Sequence, residues 1–394
     1  MNIIYVSNLI SEQKMKKIIE ISKKKPLQSI QKFHRLLCKG FVLNDIKVTT
    51  ISIIPMSRQI NNKAIWFDKK EQESGINYQY IPFLNFKGIR QIGIILGTFF
   101  LVLKEILKGK KEKVFICDIL DTTISSVTLL LSKILKFNCI GIVTDLPENM
   151  TKKTKLSKFL ENNCDSYILL TEQMNEKINQ KKKKYIVMEG LVDKDMNLSH
   201  NTIENKYPQK VCIYAGGLYE KYGVKTLIQA FEKLGLENTE LHLYGTGDLE
   251  DYLKDLKNEK IKYYGVVENN KIVEEELKAT LLINPRFTDK EYTKYSFPSK
   301  NMEYMVSGTP VITTKLPGMP KEYLEYVYLF NEETEQGYKD KLKEILQKTN
   351  QELYEKGKKA KEFVLKNKNN QIQAKKIEGF INSKTNEEEI KCSS

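Results

Sequence analysis

From Asn2 to Thr313 the chain alternates short apolar runs with longer helix-patterned stretches, and this alternation restricts the fold more than any other feature. In the first half the runs Asn2–Val6, Val48–Ile54, Val114–Cys117, Cys139–Val143, Ser166–Leu170 and Tyr185–Met188 read as buried strands. In the second half Val211–Ala215, Leu241–Tyr244, Ile261–Tyr264, Leu281–Asn284 and Val311–Thr313 repeat the pattern. Apolar strands separated by helices indicate parallel sheets covered on both faces. A chain of 394 residues also exceeds what one hydrophobic core usually holds. Four lysines, Lys181 to Lys184, break the first series, and Lys194–Lys210 carries few apolar anchors. The expected organisation is a doubly wound domain over residues 1–193, a linker over 194–210 and a second doubly wound domain over 211–370. A C-terminal helix and frayed tail over 371–394 complete it, the helix being able to pack back on the first domain.

Composition narrows the partners. The net charge of +14 comes from many lysines and few arginines, which suits an anionic surface or ligand better than base-specific reading of nucleic acid. No helix-turn-helix or aromatic platform motif accompanies it, so a nucleic-acid partner would rest on charge alone. The cysteines at 38, 117, 139, 164, 212 and 392 are scattered and form no C-x-x-C pair, which points to a reducing cytoplasm rather than a disulfide framework or a zinc site. The amino terminus lacks a basic segment followed by a long apolar one and reads as a strand, not an export signal. The most apolar segment, Ile92–Leu107, is interrupted by Gly93, Gly97, Thr98, Lys104 and Glu105 and falls short of the roughly 20 apolar residues of a spanning helix. It reads as a core helix or as one resting on an anionic membrane, with Lys108, Lys110, Lys111 and Lys113 favouring the second.

The chemistry concentrates in Tyr295–Thr314. Ser296 is placed to cap a helix, Pro298 suits its first turn, and Gly308 ends it. Lys300 and Glu303 are neighbours on the helix surface near its positive end, where an anion is favoured. Two glycine-punctuated loops, Gly216-Gly217 with Lys221 close behind and Gly245-Thr246-Gly247, follow strands. Backbone amides presented there can cradle phosphate oxygens, and the carboxyl edge of such a sheet is where ligands bind. Arg286, after the strand Leu281–Asn284 and Pro285, would bring a guanidinium to the same edge.

The segments Ser296-Phe297-Pro298-Ser299-Lys300 through Glu303, Gly308-Thr309-Pro310-Val311, Tyr214-Ala215-Gly216-Gly217-Leu218 and Asn284-Pro285-Arg286 together resemble the donor domain of family 4 glycosyltransferases. The resemblance runs from about Val211 to Lys321 and is looser in the first half, where Thr144-Asp145-Leu146-Pro147 and Leu170-Thr171-Glu172 fall at fitting places. It implies a GT-B architecture of two Rossmann-like domains and retaining transfer of a hexosyl group from a nucleotide-diphosphate sugar, on family frequency a uridine one. The acceptor implied is a hydroxyl of a glycan or lipid-linked glycan in surface-polysaccharide synthesis.

The same resemblance gives Glu303 the ribose hydroxyls, as second acid of an E-x7-E motif. Tyr295 stands at the first acid, with Glu291 one helical turn earlier. The phosphate-clamp arginine position is Gly217, so Lys221, Arg286 or Lys300 would supply the cation; Gly216, Gly245, Gly247 and Ser299 complete the donor set. Asp145 matches an active-site position, and it can equally cap the turn that follows it. His34 and Gln28 would lie near the acceptor entrance, His34 alternatively being a packed or surface histidine. No cofactor and no divalent ion are expected, because His34, His200 and His242 are isolated and Asp118 and Asp121 are separated by an apolar pair. A different possibility is a nucleotide-sugar-binding subunit without catalysis, partnering an active enzyme at the membrane surface, which the missing acid at Tyr295 favours.

Overall fold

A computed structural model describes residues 1–22, 28–57, 60–109, 112–146, 154–196 and 201–383. The chain divides into two compact units, Met1–Leu191 with Asn370–Ser394, and Val192–Asn369.

In the first unit eight strands form one sheet. Their order is Tyr185–Val187, Ser166–Leu169, Asn138–Val143, Lys113–Asp118, Asn2–Ser7, Lys47–Ser52, Ile76–Tyr80 and Glu71–Glu73. All neighbours are parallel except the last pair. The six strands expected from apolar runs are present. Ile76–Tyr80 and Glu71–Glu73 are additions, an edge hairpin turned by Ser74 and Gly75 at φ 51° and 77°. Positive φ at both central residues gives a turn whose twist matches its strands. The polar sequence of Glu71–Glu73 is an edge signature rather than a core one. Helix Asn370–Asn382 belongs to this unit and lies on helix Gln28–Val42, where the Asn370 side chain donates to the Leu36 carbonyl at 3.2 Å and the Gln371 side chain to that of Leu43 at 2.9 Å.

The second unit is a six-stranded, wholly parallel sheet ordered Ile261–Gly265, Thr239–Tyr244, Lys210–Ala215, Leu281–Asn284, Val311–Thr313 and Tyr328–Leu329. Its central strand shows why the run is apolar throughout. Cys212 and Tyr214 enter one core with Leu227, Phe231 and Leu342, whereas Val211, Ile213 and Ala215 enter another with Met305, Val306 and Ala360. Alternate side chains point to opposite faces and helices cover both.

The stretch expected as a linker falls inside this unit from residue 201 onward. The Asn201 amide donates to the Ser307 carbonyl and the Thr309 hydroxyl at 2.8 and 3.0 Å. Lys206 places its ammonium on the carbonyls of Leu277 and Ala279 and the hydroxyl of Thr309, at 2.8, 2.9 and 2.9 Å. A polar segment can therefore be ordered by hydrogen bonds where apolar anchors are few. Lys206 occupies the end of helix Asn269–Lys278, where carbonyls lack intrahelical partners. Lys206→Met, which keeps the stem and removes the donor, should lower stability by about 1–3 kcal/mol in urea unfolding.

Candidate functional site

Three strands of the second unit deliver the predicted donor residues to one sheet edge. Strand Lys210–Ala215 leads into Gly216-Gly217, the adjacent strand Thr239–Tyr244 into Gly245-Thr246-Gly247, and Leu281–Asn284 on the other side into Arg286. The two glycine loops close on each other. Gly216 donates to the Tyr244 carbonyl at 2.8 Å, Leu218 to that of Thr246 at 2.9 Å, and Gly245 to that of Gly265 at 2.8 Å. A Cβ on Gly245 would overlap the Gly216 carbonyl oxygen, and Gly245 sits at φ +127°, a conformation that side chains disfavour. Gly245 and Gly247 are thus required by backbone contact between the loops, and the Gly216 and Gly245 amides serve the protein itself.

Lys300 extends from the first turn of helix Ser299–Ser307 to the end of the central strand, where its ammonium donates to the Ala215 carbonyl. It lies against the rings of Tyr214 and Tyr304, 5.8 and 5.9 Å from their centroids. Burial lowers its pKa below the ordinary lysine value, the nearby Glu303 and Glu276 carboxylates oppose that shift, and Arg286 adds to it. An ammonium has three donors, and one of them is taken by Ala215. Glu303 follows one turn later, half-buried.

The other cations rest on tyrosines that sequence reasoning did not single out. The Arg286 guanidinium lies 4.7 Å from the ring centroid of Tyr222 and 5.8 Å from that of Tyr292. The Lys221 ammonium stands 5.4 and 5.3 Å from the rings of Tyr219 and Tyr222, and its carbonyl accepts from the Tyr292 hydroxyl at 3.0 Å. Cation–π contact orients a charge without neutralising it, and the pattern Tyr219-x-Lys221-Tyr222 is the sequence signal for it. Tyr295 and Glu291 meet within a short 3₁₀ segment, Glu291–Tyr295, with the Tyr295 hydroxyl donating to Glu291 at 3.2 Å; Glu291 also pairs with Lys294 at 3.0 Å.

Several expectations need correction. Ser296 does not cap the helix. The helix begins at Ser299 after Pro298, without a side-chain cap, and the Ser296 hydroxyl is buried without a partner. Ser299 is exposed at the first helical position. Gly308 does end the helix, at φ +76°.

In the first unit His34 does not reach an acceptor entrance. It is fully buried, with Nδ1 2.6 Å from the Tyr5 hydroxyl and Nε2 3.0 Å from Asp118. Both ring nitrogens are thereby engaged, which makes His34 part of the core network. Gln28 opens helix Gln28–Val42, and its side chain lies outside the described residues, as do Lys110, Lys111 and His200. The Asp145 carboxylate accepts from the Leu146 amide at 2.7 Å in the turn after strand Asn138–Val143. Lys113 is not a surface cation. Its buried ammonium caps the end of helix Ile89–Leu107 on the carbonyls of Glu105, Ile106, Lys108 and Gly109, at 2.6 to 3.1 Å.

A cavity of about 330 Å³ at the carboxyl edge of the first sheet was not anticipated. It is lined by Asn8, Met56, Arg90, Asp121, Thr122 and Ile124 among others. Burial and then the neighbouring Asp118 hold the Asp121 carboxyl well above the usual range, with Asn8 opposing them. The D-x-x-D spacing of Asp118 and Asp121 was visible in the sequence but carries no sign of burial. Among the described residues no group of three or more His, Cys, Asp or Glu is placed to hold a metal ion.

Residues 195–364 match the family model described as glycosyl transferases group 1, so the second unit is a domain of that class. A segment of 117 residues is 27% identical to an uncharacterized glycosyltransferase of Methanocaldococcus jannaschii, covering 28% of this chain and 28% of that relative. Among solved structures, the catalytic domain of starch synthase IV from Arabidopsis thaliana, bound to ADP and acarbose, superposes with a TM-score of 0.69 at 11% identity, covering 96% of this chain and 98% of that one. HepE of Anabaena in complex with UDP superposes with a TM-score of 0.64 at 12% identity, covering 97% and 99%. The fold over nearly the whole chain is accordingly the GT-B fold of glycosyltransferases.

The loop contacts separate two kinds of glycine. A Cβ on Gly216 would meet the flexible end of Lys300, 2.5 Å from its ammonium nitrogen, whereas one on Gly245 meets only backbone. Gly216→Ala should therefore fold with near-native stability and displace Lys300, weakening nucleotide-diphosphate binding in a thermal-shift titration. Gly245→Ala should lose about 2–4 kcal/mol of unfolding free energy.

Proposed function

We propose that the chain is a retaining, metal-independent glycosyltransferase of family 4. It would transfer a hexosyl group from a nucleotide-diphosphate sugar, most simply a uridine one, to a hydroxyl of a glycan or lipid-linked acceptor in surface-polysaccharide synthesis. The observation that carries this reading is the set of three cations at the second unit's carboxyl edge. Lys300 is anchored on Ala215, and Arg286 and Lys221 are oriented on tyrosine rings beside paired glycine loops. Positive charge held in place before the reaction stabilises a leaving diphosphate without reorganisation. The glycosyl transferases group 1 match and the UDP-bound structural neighbour support a nucleotide-sugar donor.

In this reading Glu303 takes the ribose hydroxyls, Lys300 and Arg286 take phosphate oxygens, and the glycine loops admit the diphosphate close to the backbone. The bond from the anomeric carbon to the diphosphate breaks, and the acceptor oxygen bonds to that carbon on the face the diphosphate leaves. The hydroxyl proton passes to a diphosphate oxygen, so no protein base and no divalent ion is required. The Tyr295 hydroxyl and Glu291 act as a pair in place of the missing first acid, the phenol fixing the carboxylate that approaches the sugar. The first unit's cavity beside Asp121 would receive the acceptor, with Asp145 a further residue of that unit. A non-catalytic nucleotide-sugar-binding partner remains the second reading, favoured by the tyrosine at position 295.

Peripheral contact with an anionic membrane forms part of the proposal. No helix among the described residues is long and apolar enough to cross a membrane. Helix Ile89–Leu107 nevertheless exposes Ile92, Leu96 and Phe100 at successive turns of one stripe, and helix Thr122–Ile134, packed against it, exposes Leu130 and Ile134. Lys104 and Lys133 are exposed on the same two helices. Apolar rows accompanied by lysines suit the interface of an anionic bilayer.

Purified chain supplied with UDP-sugars and a cell-derived lipid-linked acceptor should give product with retained anomeric configuration, read by NMR. Donor binding without turnover on any acceptor would favour the non-catalytic reading. Glu303→Ala should lower donor affinity by about 2 kcal/mol, in the range for hydrogen bonds to a charged group, and unchanged affinity and turnover would remove its ribose role. Glu291→Gln and Tyr295→Phe should each slow transfer more than they weaken UDP binding. For the membrane contact, Leu96→Ser with Phe100→Ser should reduce co-sedimentation with phosphatidylglycerol vesicles while leaving UDP binding intact.

A further inference from the structure

A second cavity of the first unit lies at the opposite edge of its sheet from the Asp121 cavity. It has a volume of about 430 Å³ and is formed where strands Asn2–Ser7, Lys47–Ser52 and Ile76–Tyr80 begin and helix Ile89–Leu107 ends. The glycosyltransferase reading above gives it no role. Its walls are polar for a cavity over a sheet. Thr49, Asn77 and Gln79 contribute from the strands, Glu105 and Lys108 from the helix end, and Lys70 from the segment that crosses above.

Two features point to a ligand. The first is the Gln79 amide, which is buried at 4% exposure. Its nitrogen donates to Glu105 at 2.5 Å, and because a carboxylate only accepts, the amide orientation follows from that contact. The Gln79 carbonyl oxygen is then left buried without a hydrogen-bond partner. An unpaired buried acceptor carries a desolvation cost that a hydroxyl group in the cavity would remove.

The second feature is crowding of cations at the rim. Lys70 is brought up against Lys104 and Lys108, with Glu105 the carboxylate that opposes them. Glu105 itself is shared between Lys108 and Gln79. The remaining acid of the lining, Glu71, accepts from the Tyr80 hydroxyl of its own hairpin and from the hydroxyl of Ser11, which caps helix Glu12–Ile21. Lys113 is occupied with helix-end carbonyls. Partial burial first, and then repulsion from Lys108 and Lys104, depress the Lys70 ammonium below its ordinary value. A bound phosphate anion would relieve both the repulsion and the depression.

We propose that this cavity is a second ligand site, taking a phosphorylated, hydroxyl-bearing small molecule. The phosphate would sit on Lys70 and Lys108 at the rim, and a hydroxyl would donate inward to the Gln79 carbonyl oxygen. A sugar phosphate carries this chemistry, and so does a phosphatidylglycerol headgroup. The site is independent of the transfer reaction proposed above, in which none of its residues takes part.

The test is isothermal titration calorimetry of the full chain with glucose 6-phosphate and with inorganic phosphate. Saturable binding of both is expected, the sugar phosphate being tighter. Lys70→Ala with Lys108→Ala should weaken both by about tenfold or more, as expected for loss of charge-assisted hydrogen bonds, while UDP binding stays unchanged. Gln79→Met should reduce the advantage of the sugar phosphate and leave inorganic phosphate as it was, a result that loss of fold could not produce. Displacement of glucose 6-phosphate by phosphatidylglycerol vesicles, but not by phosphatidylcholine vesicles, assigns the headgroup as the source; no displacement assigns the free ligand. The proposal is overturned if neither phosphate gives saturable heat at millimolar concentration, or if the double lysine variant binds as the parent does.

Discussion

The carboxyl edge of the second unit depends on one close approach, that of the Gly216 backbone to its neighbours. Its amide is held by the Tyr244 carbonyl, its carbonyl lies where a side chain at 245 would have to stand, and the Lys300 ammonium fills the place of its own missing Cβ. Two strands, two loops and a helix are therefore positioned against a single peptide. Packed backbone deforms little, so the distance between the loops, and the position of Lys300 above them, follow from the absence of two side chains. Preorganised charge requires this rigidity, because a cation free to follow its counter-ion contributes less to a transition state than one already in place. The tyrosines extend the principle outward. Arg286 and Lys221 lie over rings that orient them while leaving their charge available.

How much of this could be read from residues alone depends on whether the signal is local. Buried parallel strands announce themselves as apolar runs, and all eleven expected runs are strands in the structure. Ile76–Tyr80 and the Glu71–Glu73 edge escaped because a strand near the border of a sheet carries polar residues on its open side, so its composition resembles a loop. The glycine loops and Lys300 were legible because close backbone approach restricts residue type. Ser296 was misread for a related reason. A serine before a proline satisfies the capping pattern, but Pro298 takes the cap position itself and the helix starts one residue after it. His34 was out of reach of sequence reasoning. Its partners Tyr5 and Asp118 are 29 and 84 residues away and meet it only once strands Asn2–Ser7 and Lys113–Asp118 are paired.

The lysine excess has a structural origin that composition conceals. Among the described residues, five lysines place their ammonium groups on the carboxyl ends of five helices. Lys113 serves Ile89–Leu107, Lys183 serves Lys155–Asn163, Lys184 serves Asn370–Asn382, Lys206 serves Asn269–Lys278 and Lys210 serves Glu335–Leu346. Each lies at, or a few residues before, the start of a strand. In a parallel α/β sheet a helix ends where the next strand begins, so a lysine there meets the helix's unpaired carbonyls and negative dipole end together. The net positive charge is thus partly an internal device for finishing helices, and it supports an anionic partner less than its size suggests.

This division of labour distinguishes the two sheet edges. At the amino edges lysines meet backbone carbonyls and have their charge largely answered, which makes the crowding of Lys70, Lys104 and Lys108 around the single carboxylate of Glu105 an exception there. At the carboxyl edge of the second unit the corresponding helix ends are amino termini, whose dipoles are positive and cannot stabilise a cation. Lys300, at the second position of helix Ser299–Ser307, is therefore held against the local field by the Ala215 carbonyl and the attraction of Glu303 and Glu276. A cation kept where the backbone already favours anions adds its charge to that of the helix end. On the proposed reading, the cost of placing it there is offset when a donor phosphate occupies the same edge.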